Sequence, residues 1–475
     1  MNGTQVIAKN VSILGISSVV TTVLGFFLLI YIARYLGEVE YGKYSFAISF
    51  TSLFVIFTNV GINNLIIREI ARNKELINEY ITSVLAIRLP LSFLSFGLIV
   101  LAINIMNYPK DTIQAVYLFG IYNILTSLEM TFRSIFQAYE KMEYDSITAI
   151  TEKIILTSLA FSAIYLGYNL IELAYIYVFA GIASLTLGAA LLSIKIAKPR
   201  LIINLSLWKF LLIGSIPFGL NTLFGVLYFQ IDSVMLSFLK GDVSVGIYSA
   251  AYNPLLALGI IPTVFVTAIY PVMSRFFIDS KVSLDTLTEL SCKYMAIIGF
   301  PVAIGCFVLA DRFIELFYAD KFSASAAPFQ ILAFFIPLRW IGSITGTFLT
   351  STNKQGFRTL SVGLSAFFNV ILNAAMIPSL GYIGASIATV LSEVFLYFII
   401  IHFINKYYKK MNFHKHFIKP TIASLVMGIF IVYLNYIDLS LLISSAVVVY
   451  LAMLLLLNTF SKDDKYIFKR VIKSG

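Results

Sequence analysis

Arg88, Lys153 and Arg339 stand inside long apolar runs, Arg88 two residues before Pro90 and Arg339 two residues after Pro337. Arg34, Arg68 and Arg275 stand near the ends of such runs. A cation at the centre of a membrane-spanning helix costs about 2.5–3.5 kcal/mol on the insertion scale, so it is expected to face a cavity or a partner. A guanidinium offers phosphate oxygens paired, charge-assisted hydrogen bonds, and these six cations could therefore line a chamber for a pyrophosphate or an acidic sugar. The competing reading of the interior three is a cation that snorkels or is held by a helix carbonyl. For Arg34, Arg68 and Arg275 it is anchoring at the end of a span. On the acidic side, Glu129, Asp232 and Glu393 are the candidates for ion coupling. Glu129 and Arg133 lie four residues apart, which on a helix also fits a plain intrahelical ion pair. Asp232 follows "LYFQI" with no obvious local cation, so it either binds a coupling proton or sodium ion or caps a loop.

Other chemistries find no residues to carry them. Cys292 and Cys306 are the two cysteines, and no CxxC or His-rich spacing accompanies them, so neither a disulfide nor a metal site is expected. No GxxxxGK[ST] loop is present, and no cofactor or nucleotide-driven step is expected of this chain. A membrane polymerase, ligase or glycosyltransferase would need a large outer loop bearing acidic or His/Arg groups. None is visible, and the protein is not expected to be an enzyme.

The elements that must position these charges follow from composition. Hydrophobic residues make up 59% of the chain and charged ones 12%, against about 45–50% and about 25% in ordinary soluble domains. The formal net charge of +10 is spread in short clusters between apolar runs rather than in one stripe, which favours membrane topology over nucleic acid. Apolar runs predict spans near 11–33, 43–67, 80–106, 112–137, 146–166, 172–196, 207–239, 243–272, 290–311, 327–351, 357–379, 383–405, 416–436 and 439–459. That gives about fourteen spanning helices. The first run is too long for a signal-peptide core and reads as a retained anchor. Lys and Arg fall mostly in the N-terminal stretch, the loops after even-numbered spans and the C-terminal tail, which predicts that both termini are cytoplasmic.

An internal repeat organises the spans. "YIARYLGEVEYGKYSFA" after the first is echoed by "SFLKGDVSVGIYSAA" after the seventh, with Gly42, Tyr44, Ser45 and Ala47 falling on Gly246, Tyr248, Ser249 and Ala251 at one constant offset. "FQAYEKMEY" from Phe136 is echoed by "FLTSTNKQGF" from Phe348, and "LGYN" at Leu166 by "LGYIGAS" at Leu380. Three echoes in one order imply two homologous six-helix halves, each with an even number of spans and so related by an axis along the membrane normal. The expected fold is an all-α membrane protein with two pseudo-symmetric six-helix lobes, residues 1–200 and 201–410. Two further helices and a cytoplasmic tail fill 411–475.

The stretch "GFFLLIYIARYLGEVEYGKYSFAISFTSLFVIFTNVGINNLIIREIARNKE" resembles the N-terminal signature of the polysaccharide biosynthesis flippases of the multidrug/oligosaccharidyl-lipid/polysaccharide exporter superfamily. "IDSVMLSFLKGDVSVGIYSAAYNPL" and "LGYIGASIATVLSE" resemble that family's later signatures, so the similarity covers nearly the whole chain. The resemblance implies a MATE-like pair of lobes around a central cationic cavity, and transport of a lipid-pyrophosphate-linked oligosaccharide by alternating access. It also implies that ion gradients drive the cycle. The partners expected are that glycolipid, membrane lipid and H+ or Na+, in a monomer of a prokaryotic cytoplasmic membrane. The lipid II flippase branch typically carries an Asp-Arg pair early in span eight, where this chain reads "YSAAYNPLLALGIIP". An ion-coupled multidrug antiporter of the same superfamily is the nearest alternative, and such a protein wants carboxylates rather than cations in its cavity.

Overall fold

The computed structural model describes residues 3–59, 61–197, 204–411 and 413–460, and among these no strand occurs. The first half is built from α1 (Gly3–Asn59), α2 (Ile62–Arg72), α3 (Ile77–Ile105), α4 (Lys110–Ala138), α5 (Met142–Tyr165) and α6 (Leu170–Lys195). It continues with α7 (Leu205–Lys240), α8 (Asp242–Ala257), α9 (Ile260–Asp279), α10 (Lys281–Val308) and α11 (Ala310–Tyr318). The last five are α12 (Ala326–Ala333), α13 (Phe335–Ser351), α14 (Gln355–Tyr407), α15 (Ile418–Tyr433) and α16 (Leu439–Leu456). Among the described residues ten helices are long and apolar enough to cross a membrane, or eleven with one bent pair taken as a single span.

Prolines and glycines explain where helices depart from the predicted spans. The span expected at 327–351 is bent by 41° between Ala310–Ala333 and Phe335–Ser351. Pro337 lacks an N–H and its ring excludes the carbonyl of residue i−4, which is Ala333, the last residue of α12. The same arithmetic places the α8–α9 break, because the i−4 carbonyl of Pro262 belongs to Leu258. The second span stops at Asn59 rather than near 67. Gly61 turns there with φ 80°, and a Cβ on it would lie 2.3 Å from the backbone nitrogen of Gly219. Beyond it α2 buries Ile62, Leu65, Ile66 and Ile70 and exposes Arg68 and Arg72. α10 begins at Lys281, earlier than the expected 290, with the Ser280 side chain accepting from the Ser283 N–H as its cap.

The repeat is written into the backbone. Gly37 (φ 74°, ψ 179°) interrupts α1, and Gly241 (φ 82°, ψ −178°) separates α7 from α8. The two glycines share the offset that relates Gly42 to Gly246, and both occupy a region of φ/ψ space that is essentially closed to other residues. The other two echoes behave alike: Glu140 (φ 58°) matches Asn353 (φ 60°), and Gly167 (φ 79°) matches Gly381 (φ 56°), where α14 is broken. A further pair, Asn107 (φ 54°) and Ala319 (φ 53°), lies 212 residues apart, against 213 and 214 for those two echoes.

Backbone contacts divide the chain into two compact units, Met1–Ile260 with Val362–Ala388, and Ile261–Ser361 with Thr389–Gly475. In the first, α1 packs on α3, α4, α5, α7 and α8, and one apolar core joins Ile66, Ile81, Phe132 and Leu211. In the second, α10 packs on α13 and α15, and a core of Met427, Ile431, Leu442 and Tyr450 joins α15 to α16. The sequence division into 1–200, 201–410 and 411–475 follows the repeat instead. Its boundary at 200–201 and the tail after residue 460 lie outside the described residues.

Candidate functional site

Within the first unit the two copies of the repeat meet through their shared motif. A Cβ on Gly42 would lie 1.9 Å from the carbonyl oxygen of Asp242, and a Cβ on Gly246 would lie 2.0 Å from the carbonyl oxygen of Glu38. Glu38 and Asp242 are themselves related by the same offset, so the contact is reciprocal, as it is across a two-fold axis. Only glycine lets the backbones approach this closely. Asn253 Nδ2 donates to Tyr41 Oη at 2.9 Å and ties α8 to α1 beside this contact.

Further along α1 lies a cavity of about 240 Å³. Its polar lining is Ser52 and Asn59 from α1, Asn123, Thr126 and Ser127 from α4, and Thr222 from α7, with Val55, Ile56, Met130 and Val226 as apolar wall. Both copies of the repeat therefore contribute to it. Arg88 is fully buried behind this wall. Its Nη1 donates to the Ser127 carbonyl at 2.6 Å and to Thr131 Oγ1 at 2.5 Å, while Nη2 donates to Asn59 Oδ1 and Asn63 Oδ1, both at 2.7 Å. Four neutral oxygens thus hold the guanidinium, two of them from residues that line the cavity. Because a guanidinium can only donate, it fixes the Asn59 amide with its oxygen inward. Among the described residues no acceptor takes the Asn59 Nδ2 donors. Loss of Arg88 would orphan buried acceptors at about 1–3 kcal/mol each, so the residue is a cross-tie of α1, α2, α3 and α4 as well as a charge.

A second polar cluster surrounds Asp232, which is buried on α7. Its Oδ2 accepts from Tyr248 Oη at 2.8 Å, and its Oδ1 accepts from Asn373 Nδ2 at 2.5 Å. Asn373 also donates to Asn369 Oδ1 at 2.9 Å, one turn earlier on α14. The Asn373 Oδ1 atom is buried without a hydrogen bond among the described residues. The Asp232 and Asn369 oxygens therefore meet at one amide Nδ2 in a buried place, and the carboxylate there is the group that a proton or a hard monovalent cation would neutralise. Tyr44, the repeat mate of Tyr248, instead pairs with Tyr177 through their hydroxyls at 2.5 Å. The repeat mate of Asp232 is Leu28, buried in α1, and the first copy makes the same glycine turn at Gly37 without any carboxylate there. Asp232 is thus not required for the turn.

The remaining predicted residues fall into local pairs or on the surface. Glu129 approaches Arg133 at 3.8 Å, and Arg133 Nε makes a closer contact to Asp145 on α5, which also accepts from Gln137 at 2.9 Å. Glu152 accepts from Tyr122 at 2.8 Å, and Lys153 beside it is half-buried with no ion pair among the described residues. In the second unit Arg339 Nη1 donates to Glu393 Oε1 at 2.5 Å, so a cation predicted for cargo is joined to a carboxylate predicted for coupling. That pair is largely buried, and breaking it from one side would cost about 3–5 kcal/mol. Arg34 and Arg275 are exposed, Arg275 over the Phe276 ring at 5.7 Å. Arg68 is exposed, bonded to Glu69 at 2.8 Å and 5.9 Å from the Phe218 ring centroid. Sequence reasoning missed Asn59, Asn63, Asn369 and Asn373. Asparagines inside apolar runs were the available signal, since an amide in a spanning helix needs partners as a charge does.

The family described as Polysaccharide biosynthesis protein matches residues 7–277, more than half of the chain. A relative in Haloferax volcanii, named as a probable low-salt glycan biosynthesis flippase, is 21% identical over 405 residues, covering 84% of this chain and 83% of its own length. Among solved structures, a lipid II flippase in an inward closed conformation superposes with a TM-score of 0.77 at 16% identity, covering 92% of this chain and 97% of that one. An inward-facing multidrug resistance transporter of the MATE family gives a TM-score of 0.66 at 16% identity, with coverages of 81% and 95%. The two superpositions establish an all-α, MATE-like membrane fold.

Proposed function

Because the chain belongs to the polysaccharide biosynthesis protein family, we propose that it flips a lipid-pyrophosphate-linked oligosaccharide across the cytoplasmic membrane by alternating access, for assembly of a surface polysaccharide or glycan. It acts as a carrier and not as an enzyme, with about fourteen spans once α1 and α14 each count as two across Gly37 and Gly381 and α15 counts as one, both termini in the cytoplasm and the two repeats working as six-helix lobes. The observation that carries this reading is the polar cavity backed by Arg88, to which both repeats contribute and whose lining holds no carboxylate among the described residues. An anionic glycolipid headgroup gains there from a buried cation and from the Asn59 amide that the cation orients. A cationic drug gains nothing.

Asp232 with Tyr248, Asn369 and Asn373 is the coupling site for H+ or Na+ in this reading. The reciprocal contact of Gly42 and Gly246 is the outer gate, which must part for release. Depletion of the protein in its native host tests the cargo. Lipid extracts should then accumulate the completed lipid-linked glycan, measured by mass spectrometry, with unchanged sensitivity to cationic dyes. A normal glycolipid pool together with raised dye sensitivity would assign the protein to the antiporters instead.

A further inference from the structure

A separate charged region occupies one end of the second unit. A cavity of about 650 Å³ lies between the start of α10, the start of α15 and the end of α16, and its wall includes Lys293, Lys409, Lys415 and Lys419. A neighbouring cavity of about 550 Å³ shares Val282, Asp285 and Lys409 with it and adds Lys281 and Lys354. The two walls together carry six lysines against two carboxylates, Asp285 and Glu289. Lys409 pairs with Asp285 at 3.1 Å and Lys415 with Glu289 at 2.9 Å, which leaves a clear excess of positive charge. Lys293 is buried, a costly position for an ammonium group, and Lys419 Nζ reaches the Asn458 carbonyl at 2.8 Å. His416 faces Glu289 at 3.6 Å, and burial and the adjacent Lys415 hold its imidazole below the usual range, so it is left out of the count.

The surroundings indicate where the anion comes from. From Ile418, next to Lys419, an exposed apolar stripe of Ile418, Ile422, Leu425 and Ile429 runs down one face of α15. Those residues recur at helical spacing, so a charged receptacle sits at the head of a greasy track. The lysine-rich loops between spans read as the cytoplasmic side, where anionic lipid headgroups lie. We propose that these two adjoining cavities bind the phosphate group of an anionic bilayer phospholipid, whose acyl chains lie along α15. The site shares no lining residue with the cavity backed by Arg88 and takes a resident lipid rather than cargo. The phosphate oxygens accept from the ammonium groups in excess of the Asp285 and Glu289 pairs, those of Lys281, Lys354 and Lys419.

The test uses the full-length protein in detergent, titrated separately with dioleoyl phosphatidylglycerol, dioleoyl phosphatidylcholine and inorganic pyrophosphate, and read by native mass spectrometry. Phosphatidylglycerol should bind more tightly than phosphatidylcholine. The double variant Lys281→Gln/Lys354→Gln leaves both ion pairs intact and should weaken phosphatidylglycerol roughly fivefold per lysine. Adding Lys419→Gln should weaken it further, whereas Lys110→Gln/Lys240→Gln should change it less than twofold. If pyrophosphate binds with the same dependence on these lysines and phosphatidylglycerol shows no preference, the phosphate site stands but its ligand is soluble. Equal binding of both lipids with no lysine-dependent pyrophosphate binding would overturn the site. Thermal unfolding that matches wild type establishes that each variant is folded.

Discussion

Replacing Gly246 with Val should stop translocation while leaving the protein in the membrane, and Gly42→Val should do the same from the other side of the contact. A Cβ at either position would sit at about two-thirds of the 3.0 Å below which real Cβ atoms essentially never approach, 1.9 Å from the opposing carbonyl at Gly42 and 2.0 Å at Gly246. Neither obstacle is a side chain that could swing away; both are main chain within helical segments. The helices must therefore part. Overpacking of this kind costs about 1–3 kcal/mol, which shifts the balance between closed and open gate roughly 5- to 150-fold. A cycle that needs both states slows accordingly. A cysteine introduced by Ser249→Cys, at a buried position three residues after Gly246, reports the gate. Its labelling by a membrane-impermeant thiol reagent should rise at least about fivefold in Gly42→Val. Wild-type transport and an unchanged labelling rate in both valine variants would remove the gate from this contact.

Asp232→Asn should abolish the response of transport to the driving ion gradient, a loss of about tenfold in the gradient-driven rate. The substitution keeps the shape of the side chain, and its one carbonyl oxygen can still accept from either Tyr248 or Asn373. It removes the negative charge that a proton or sodium ion would neutralise. One of the two donors then loses its acceptor at about 1–3 kcal/mol, so membrane levels are measured alongside the rate. Tyr248→Phe separates positioning from charge, since it keeps the carboxylate and should preserve the gradient response at a reduced rate. A gradient response undiminished in Asp232→Asn would exclude this cluster as the coupling site.

The repeat was legible in the sequence because its turns need glycine. Gly37 and Gly241 adopt a backbone that other residues avoid, and Gly42 and Gly246 allow a contact that any Cβ would block, so composition at these points records geometry directly. The pair Asn107 and Ala319 was not legible, since asparagine and alanine share no chemistry although both have the same positive φ. Arg88 stood out as a charge in an apolar run, but its four acceptors lie on three other helices, and tertiary packing alone assembles them. The chamber of cations expected from six residues was a statement about residue type. In the fold, Arg339 is joined to Glu393, Arg68 to Glu69, and Arg34 and Arg275 are exposed. The asparagines at 369 and 373 lie in "SAFFNVILNAAM", where the apolar residues dominate any window and hide one polar face of a helix.

Purified protein in liposomes supplies the most direct measurement. A fluorescent lipid-pyrophosphate-linked oligosaccharide is placed in both leaflets, and an added glycosidase that cannot cross the bilayer trims only the outer pool. The account predicts that wild-type protein exposes the inner pool to the enzyme faster than protein-free vesicles do, and that Gly246→Val returns the rate to that of the empty vesicles. An inner pool that stays protected in the presence of folded wild-type protein, while a cationic dye is moved across the same membrane, would contradict it.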